Sequence, residues 1–414
     1  MLKFTTHYFT MTETDALEYA RTIPNFFPEN ASLICQEIGD GNMNYVFRIE
    51  DQDTKKSLII KQAGPTARIS DQFKLSTDRN RIETELLKLQ NKLAPGLVPL
   101  IYHYDELMSC CVMEDLSDHQ ILRKALLEYK TFPLFSEHIT TFLVNTLLLT
   151  SDVVLNHKEK KSLVKNFINP KLCEISEDLV YTEPFFDCKN NEIFPLTKAF
   201  AQAELWSDDA FRLETAKLKF EFMANAQSLI HGDLHTGSIF VTPQSTKIID
   251  PEFGFYGPAG YDIGNVIANL IFAYLHADAE ITDFIQKSKY LEWLTKTIKE
   301  IIDLFSLKFT ASWQKHVTEP TANYPGFAEY YLSSILRDTA AVTGLELCRR
   351  IIGLAHVADI TSIRNMNKRL RAEKIGLTMG KHFITNRTTI KSGQDFINVL
   401  TSTIAKITPL NTDI

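Results

Sequence analysis

Three acidic residues are spaced so that they could act on a phosphoryl group and its metal ion. Asp233 lies in a loop before a short apolar run, and Asp250 and Glu252 directly follow a second apolar run. The turn-like stretch Thr242-Pro-Gln-Ser-Thr246 separates the runs, so they are predicted to form a hairpin whose outer ends meet. One carboxylate beside a nucleophile and two beside a divalent cation are the groups that phosphoryl transfer requires. The spacing therefore predicts that the three carboxylates lie together at one end of a β-ribbon.

Two other interpretations fit the carboxylates alone. The hairpin could simply have solvated ends, or a pair of acids could hydrolyse a glycosidic bond without a metal. Unpaired carboxylates are costly to bury, which argues against the first. Neither interpretation explains the features of the first 117 residues, so phosphoryl transfer is favoured.

Lys61 interrupts Leu58-Ile-Ile-Lys-Gln62, a strand that is otherwise mostly apolar. A lysine in a buried strand is costly unless it is paired, and a phosphate-binding lysine held by a helix carboxylate has such a pair. The partner would be Glu83 or Glu85 on the following helix, and spacing does not decide between them. The alternative is a lysine that protects an edge strand from aggregation.

A glycine-containing turn precedes this strand. Gly39 and Gly41 permit positive φ and close backbone approach, and exposed amides there could cover phosphates. An ordinary hairpin turn is the alternative. Together with Lys61, the turn favours a phosphate-binding role for this part of the chain.

The order of elements predicts an α+β, bilobal fold. Residues 1–117 would form a small β-rich N-terminal lobe, and residues 118–414 a larger, mainly helical C-terminal lobe. A cleft between such lobes is a common ligand site. In the first lobe, helices are predicted at 12–21 and 78–93, and strands at 33–38, 45–50, 57–62, 98–102 and 110–113. In the second, a hairpin is predicted at 239–250, and mostly helical segments at 119–130, 137–151, 158–168, 196–228, 262–276, 283–309 and 327–372.

Composition excludes several classes of protein. A chain of 414 residues with 44% hydrophobic residues can bury a large core, and its net charge of −7 argues against nucleic-acid binding. Its six cysteines form no Cys-x-x-Cys pair, which favours a reduced, cytoplasmic setting over a zinc site or disulfides. Residues 1–10 lack the apolar core of a signal peptide. The longest uncharged stretch, about fifteen residues after Asp262, falls short of the roughly 20 that span a bilayer, so a buried helix is predicted there.

The segment His231-Gly-Asp-Leu-His235 resembles the catalytic loop of the protein-kinase-like superfamily, in its branch of aminoglycoside and choline kinases. Protein kinases carry Asn five residues after the catalytic Asp and then Asp-Phe-Gly, whereas this chain has Ser238 and Asp250-Pro-Glu252. Both departures occur together in the 5-methylthioribose kinases. The string from Asp250 to Gly264 resembles that family as well, and the resemblance covers nearly the whole chain.

The resemblance implies an ATP- and Mg²⁺-dependent kinase that phosphorylates S-methyl-5-thio-D-ribose to its 1-phosphate in methionine salvage. It also implies a homodimer, with a sugar substrate and with neither nucleic acid nor membrane as a partner. Asp233 would be catalytic and substrate-binding, orienting the sugar hydroxyl and accepting its proton. Asp250 and Glu252 would be the metal ligands, with Glu252 replacing the ligand lost at Ser238. His231 and Asp262 would support the loop.

The nucleotide site that the resemblance implies consists of Asn44, Lys61, Glu114, Asp115, Leu116, Asp250, Pro251 and Glu252. Within it, Val112–Ser117 would be the hinge. The adenine amino group would bond the carbonyl oxygen of Glu114, and the adenine ring nitrogen would accept from the amide of Leu116.

Arg349 and Arg350 are the implied acceptor-binding residues, because the family carries a paired arginine motif at this place. Neighbouring helix residues point about 100° apart, so the two are not expected to share one ideal face. A surface arginine pair is the alternative. Other acceptors such as an aminoglycoside, choline or homoserine stay open, as does a pseudokinase-like binding module that has lost a catalytic group.

Overall fold

The computed structural model describes residues 2–38, 44–64, 66–67, 70–74 and 77–407, and the chain divides into two compact units. The first unit is Met1–His119 with Lys247–Gly254, and the second is Gln120–Thr246 with Phe255–Ile414. The α+β class predicted from the sequence is confirmed, with a strand-rich first unit and a mainly helical second unit.

The segment 247–254 was predicted to lie in the second lobe, but it belongs to the first unit. Backbone and side-chain contacts explain the difference. The amide of Ile248 donates to the carbonyl of Leu97 at 2.8 Å, and the Lys247 ammonium pairs with Glu114 at 3.1 Å. The predicted single boundary after residue 117 therefore leaves out residues 247–254, which return to the first unit.

An antiparallel five-stranded sheet forms the centre of the first unit, in the order β1-β2-β3-β7-β6. The strands of this unit are β1 (Leu33–Glu37), β2 (Asn44–Asp51), β3 (Ser57–Ala63), β4 (Thr66–Ala67), β5 (Ser70–Lys74), β6 (Ile101–Asp105) and β7 (Cys110–Glu114). Four predicted strands are confirmed, and the fifth was placed too early at 98–102. Pro99 has no amide to donate to a ladder, and pairing with β7 begins at Ile101 opposite Met113. The predicted turn at Gly39–Gly41 lies outside the described residues.

Both predicted helices of the first unit are present as α1 (Glu13–Ala20) and α2 (Asp78–Leu93). Thr12 caps α1, because its hydroxyl accepts from the Asp15 amide at 3.3 Å while the Asp15 carboxylate accepts from the Thr12 amide at 2.9 Å. The apolar face of α1 packs on the sheet in one core with Phe47 and Leu58.

Helices dominate the second unit. They are α3 (Leu122–Leu127), α4 (Phe135–Leu149), α5 (His157–Asn166), α6 (Pro170–Leu179), α7 (Pro195–Ala201), α8 (Asp209–Ala224), α9 (Gly260–Glu280), α10 (Phe284–His316), α11 (Phe327–Ile352), α12 (Ala358–Thr361), α13 (Met366–Thr385) and α14 (Gly393–Lys406). The remaining strands are β8 (Gln120–Ile121), β9 (Ser228–Ile230), β10 (Ile239–Val241), β11 (Thr246–Ile248) and β12 (Phe255–Gly257).

Sequence periodicity located most of these helices but not their interruptions. The segment predicted as helical at 196–228 contains a π-helical turn at Gln202–Trp206 and ends in β9. The strand pair of β9 with β12 was not predicted, because three-residue strands are too short to show a period. The hairpin prediction is matched by β10 and β11, which flank a turn closed by the Thr242 amide on the Ser245 carbonyl at 2.9 Å.

Two glycines let α9 and α11 approach closely. A Cβ atom on Gly260 would lie 2.5 Å from the Thr339 backbone nitrogen, and one on Gly264 would lie 2.7 Å from the Val342 Cβ. Helix α9 is almost wholly buried, as predicted for this uncharged stretch. In the described part of the chain, no helix combines the length and apolarity needed to cross a bilayer.

Replacing Gly264 by Ala should destabilise the second unit. The added methyl would lie 2.8 Å from the Thr339 carbonyl oxygen and against the Val342 Cβ, and such overpacking costs about 1–3 kcal/mol. Gly376→Ala is the matched control, because its methyl would meet only the rotatable end of Ile351. Thermal unfolding midpoints should fall for Gly264→Ala and change little for Gly376→Ala. A Gly264→Ala variant as stable as the wild type would contradict this close approach.

Candidate active site

The predicted site residues fall into two groups, one in each unit. Asn44, Lys61, Asp250 and Glu252 come together in the first unit. Asp233 and the arginine pair come together in the second unit. The predicted meeting of Asp233 with Asp250 and Glu252 stays a prediction.

Lys61 is the centre of the first group. It projects from β3, which lies between β2 and β7, and it is only 6% exposed. Its ammonium contacts the Glu83 carboxylate at 2.7 Å and the Asp250 carboxylate at 2.5 Å. The structure thus decides between the two predicted partners, since Glu85 pairs instead with Arg81 at 3.0 Å. Because β3 is an inner strand, the edge-strand alternative for Lys61 is wrong.

Burial strongly affects the pKa values of the charged residues in this group. Burial alone would lower the pKa of Lys61, but the neighbouring Asp250 and Glu83 carboxylates outweigh it and raise that pKa above its ordinary value. Burial raises the pKa of Glu83 to about 7, against the opposing effect of the Lys61 ammonium. Lys61 therefore stays positively charged at neutral pH, whereas burial disfavours the ionised form of Glu83.

Asp250 has an unusual backbone conformation. Its φ of 61° and ψ of 44° lie in the left-handed region, and Pro251 starts a short 3-10 turn at Pro251–Phe253. Non-glycine residues in this region cost free energy and cluster at functional sites. The side chain of Asp250 is 43% exposed although its partner Lys61 is buried. One oxygen of the Asp250 carboxylate thus contacts the buried lysine, while the side chain is partly exposed to solvent.

Glu252 is buried in a polar cluster with two residues. The Asn44 amide donates to the Glu252 carboxylate at 3.3 Å, and the Arg79 guanidinium lies 3.5 Å from the same oxygen. Arg79 also donates to the Asn44 carbonyl oxygen at 3.0 Å. Burial raises the pKa of Glu252, although Lys61 and Arg79 oppose it. Sequence reasoning missed Arg79, because a single arginine in the first turn of a helix carries no distinguishing signal.

In the predicted hinge, the side chains of Glu114 and Asp115 form contacts with other residues of the protein. The Glu114 carboxylate accepts from the Leu100 amide at 3.0 Å besides pairing with Lys247. The Asp115 carboxylate pairs with Arg48 at 2.6 Å and accepts from the Ser117 amide at 3.0 Å. The carboxylates of Glu114 and Asp115 are therefore both engaged within the protein.

The predicted catalytic loop is braced from α9. The Asp262 carboxylate accepts from the His231 amide at 2.7 Å and from the Gly232 amide at 3.0 Å. Gly232 has a φ of 83°, which favours glycine at this bend. The His231 ring accepts from the Asp233 amide at 3.3 Å. Both predicted supporting roles are therefore confirmed by contacts.

Ser238 stands where protein kinases carry an asparagine, and here it closes the catalytic loop. Its hydroxyl donates to the Asp233 carbonyl at 3.2 Å, and its amide donates to the His235 carbonyl at 2.9 Å. These contacts hold the turn that presents Asp233.

Asp233 faces three cationic or titratable groups. Its carboxylate lies 3.3 Å from the His235 ring, 3.7 Å from the Arg349 guanidinium and 3.8 Å from the Arg350 guanidinium. Burial alone would raise the pKa of Asp233, but His235 and the two arginines outweigh it and hold that pKa well below the usual range. Asp233 is consequently ionised at any physiological pH.

The guanidiniums of both arginines lie within 4 Å of Asp233. This was not predicted, because residues 100° apart on a helix were not expected to share one face. Each guanidinium also donates its Nε–H to Glu346, which lies three residues before Arg349 and four before Arg350 on the same helix. Glu346 lies three and four residues before the pair on α11, so its carboxylate sits beneath both. Spacing of this kind in Glu346–Arg350 is a signal that sequence reasoning could have used.

The described residues include no group of three or more His, Cys, Asp or Glu side chains that could hold a metal ion. The candidate ligands are the two carboxylates of Asp250 and Glu252. Mg²⁺ takes oxygen ligands, keeps several waters and is commonly held by one or two carboxylates together with substrate phosphates. This donor set fits such an ion.

Comparison with known proteins links part of the chain to a class of enzymes. Residues 172–283, which include Asp233, Asp250 and Glu252, match the model of the phosphotransferase enzyme family. Among solved structures, an ethanolamine kinase from Plasmodium vivax is 14% identical, with a TM-score of 0.45 over 98% of this chain and 91% of that chain.

Curated relatives narrow the class to one family. The methylthioribose kinase of Geobacillus sp. (strain WCH70) is 42% identical over 97% of this chain and 98% of its own length. That of Bacillus pumilus (strain SAFR-032) is 41% identical over 96% of this chain and 98% of its own length. The chain belongs to the methylthioribose kinase family.

Removing Glu83 should loosen β3, whereas removing Glu85 should not. Glu83→Ala leaves the buried Lys61 with one fewer partner, and breaking a buried ion pair costs about 3–5 kcal/mol. Glu85→Ala on the same helix removes an exposed pair worth about 0.5 kcal/mol or less. Hydrogen exchange of the β3 amides should accelerate only in Glu83→Ala. Equal acceleration in both variants would show that the ion pair of Lys61 does not hold this strand.

Proposed function

We propose that the protein transfers the γ-phosphoryl group of ATP to the 1-hydroxyl of S-methyl-5-thio-D-ribose, in methionine salvage. The observation that carries the proposal is the ionised Asp233 beside Arg349 and Arg350. A carboxylate can orient a sugar hydroxyl, and paired guanidiniums suit the phosphate that the hydroxyl receives. The sugar is inferred from the methylthioribose kinases to which the chain is similar.

The first group of residues would bind the triphosphate. Lys61 provides a permanent charge for phosphate oxygens, and Glu83 keeps its side chain oriented. Asp250 and Glu252 would hold Mg²⁺, with Pro251 fixing the turn between them. When bound, the ion supplies neutralisation of the charge on the phosphates. Asn44 would contact ATP while its amide steadies Glu252.

The hinge would bind adenine through its backbone. The carbonyl of Glu114 would accept from the adenine amino group, and the amide of Leu116 would donate to a ring nitrogen. The engagement of the Glu114 and Asp115 side chains with Lys247 and Arg48 supports recognition by backbone groups.

In the transfer step, the sugar O1 would form a bond to the γ-phosphorus while the bond from that phosphorus to the bridging oxygen of ADP breaks. The hydroxyl proton passes to Asp233. Because cationic neighbours depress the pKa of Asp233, it is a poor base early in the reaction and takes the proton late. Its main contribution is to orient the hydroxyl.

A cytoplasmic location and a homodimer are also proposed. All six cysteines are free thiols, which supports a reducing compartment. The dimer is supported by the family resemblance, and the net negative charge gives no basis for a nucleic-acid partner.

An ADP-release assay with four acceptors tests the substrate. Methylthioribose, an aminoglycoside, choline and homoserine should be compared at equal concentration, with Asp233→Asn as the inactive control. Turnover should be confined to methylthioribose and fall by about 100-fold or more in Asp233→Asn. Turnover of another acceptor alone would overturn the sugar assignment, and no turnover of any would favour a binding module.

A Mg²⁺ titration separates the two carboxylates. Asp250→Asn should abolish turnover, because it removes a proposed metal ligand. Glu252→Gln should raise the Mg²⁺ concentration for half-maximal rate by about tenfold, an amount typical of losing one partner at a metal site. Full turnover with an unchanged Mg²⁺ requirement in Glu252→Gln would refute its role as a ligand that compensates for Ser238.

A further inference from the structure

Glu346 is almost fully buried beside Arg349 and Arg350, at 1% exposure. It accepts the Nε–H of Arg349 and, at 2.8 Å, that of Arg350. The Asn269 amide lies 3.4 Å from the same carboxylate. Burial alone would raise the pKa of Glu346, but the two arginines outweigh it and hold that pKa at about 2. Glu346 is therefore an anion enclosed by cations at neutral pH.

Each arginine lies closer to the Glu346 carboxylate than to the Asp233 carboxylate. The Nε of each guanidinium is bonded to Glu346, while the Nη2 groups stop 3.7 and 3.8 Å short of Asp233. Direct charge-assisted hydrogen bonds are about 2.7–2.9 Å long. The pair is thus bound firmly to Glu346 and held just beyond bonding distance of Asp233.

We infer that Glu346 is a positioning residue that keeps Arg349 and Arg350 off Asp233, so that the Asp233 carboxylate stays available to the acceptor hydroxyl. This inference rests on the proposed function. Without Glu346, Asp233 would be the nearest anion to two guanidiniums in a buried setting, where charge attraction is strong. The arginines would then close onto Asp233 and occupy the oxygens that orient the substrate.

Glu346 is itself tied to the catalytic loop. The Asn269 carbonyl oxygen accepts from the Thr236 hydroxyl at 3.2 Å and from Arg123 at 2.9 Å. Arg123 also lies 3.3 Å from the Thr236 hydroxyl. Thr236 is three residues after Asp233, so the carboxylate that holds the arginines is positioned relative to the loop that carries the base.

Kinetics of Glu346→Gln test the inference. The variant keeps the shape of the side chain and removes its charge. Its kcat with methylthioribose should fall by about 10- to 100-fold, the range of a misdirected acid–base group, while KM for ATP stays unchanged. Glu346→Asp, which restores the charge, should recover part of the rate. In an Asp233→Asn background the further loss on adding Glu346→Gln should be much smaller, because the two residues act as a unit.

Glu373→Gln is the matched control. Glu373 is likewise 1% exposed and pairs with an arginine one helical turn away, Arg369 at 2.8 Å. It should leave kcat unchanged. An equal loss in Glu373→Gln, or an equal factor in both Asp233 backgrounds, would reduce Glu346 to a structural residue and overturn the inference.

Crystal structures give a readout that does not depend on turnover. In Glu346→Gln, at least one guanidinium should move to about 3 Å from Asp233, the length of a direct ion pair. Unchanged separations would overturn the inference. Wild-type protein that fails to phosphorylate methylthioribose would overturn the proposed function alone, because these separations would still decide the role of Glu346.

Discussion

Burial of the Lys61 ammonium is the constraint on which the first unit depends. An inner strand offers a lysine no water, so the charge has to be balanced by carboxylates within reach. One comes from α2 and the other from the segment after β11. The Nζ atom of Lys61 thereby links β3, α2 and residues 247–254. Asp250 contacts Lys61 from a left-handed backbone conformation.

The two groups of acidic residues are tuned in opposite directions. In the first unit, Glu83 and Glu252 have raised pKa values because burial outweighs their cationic neighbours. In the second, Asp233 and Glu346 have lowered pKa values because arginines outweigh burial. The first group therefore has too little positive charge to offset the burial of its carboxylates, which is consistent with the proposed binding of Mg²⁺. The arginines of the second group do offset it, which is consistent with the proposed transfer of a phosphoryl group there.

Much of the fold was predictable because long elements show their period. Helix α2 was predicted at its observed bounds, and four strands of the sheet within one residue at each end. Short elements such as β9 and β12 were not, since three residues cannot display an alternation. The residues that hold others in place were also missed. Arg79 contacts Glu252, which is distant in sequence and is brought near only by the folded chain, whereas the spacing of Glu346 to Arg350 is visible in the sequence and was not used.

The candidate site residues were proposed for a different reason. Asp233 precedes one apolar run, and Asp250 and Glu252 follow a second, an order that the family resemblance made specific. Glu83 could not be separated from Glu85 in this way, because the choice depends on which face of α2 meets β3. Packing determines that face. Glu83 is buried and pairs with Lys61, whereas Glu85 pairs with Arg81.

The return of residues 247–254 to the first unit has a consequence for biosynthesis. A ribosome makes the chain from its N-terminus, and N-terminal domains commonly fold first. Here the first unit is incomplete until Gly254 has emerged, because Asp250 and Glu252 come from that late segment. Until then, Lys61 has Glu83 but not Asp250. More than a hundred residues of the second unit are thus synthesised before the first can close.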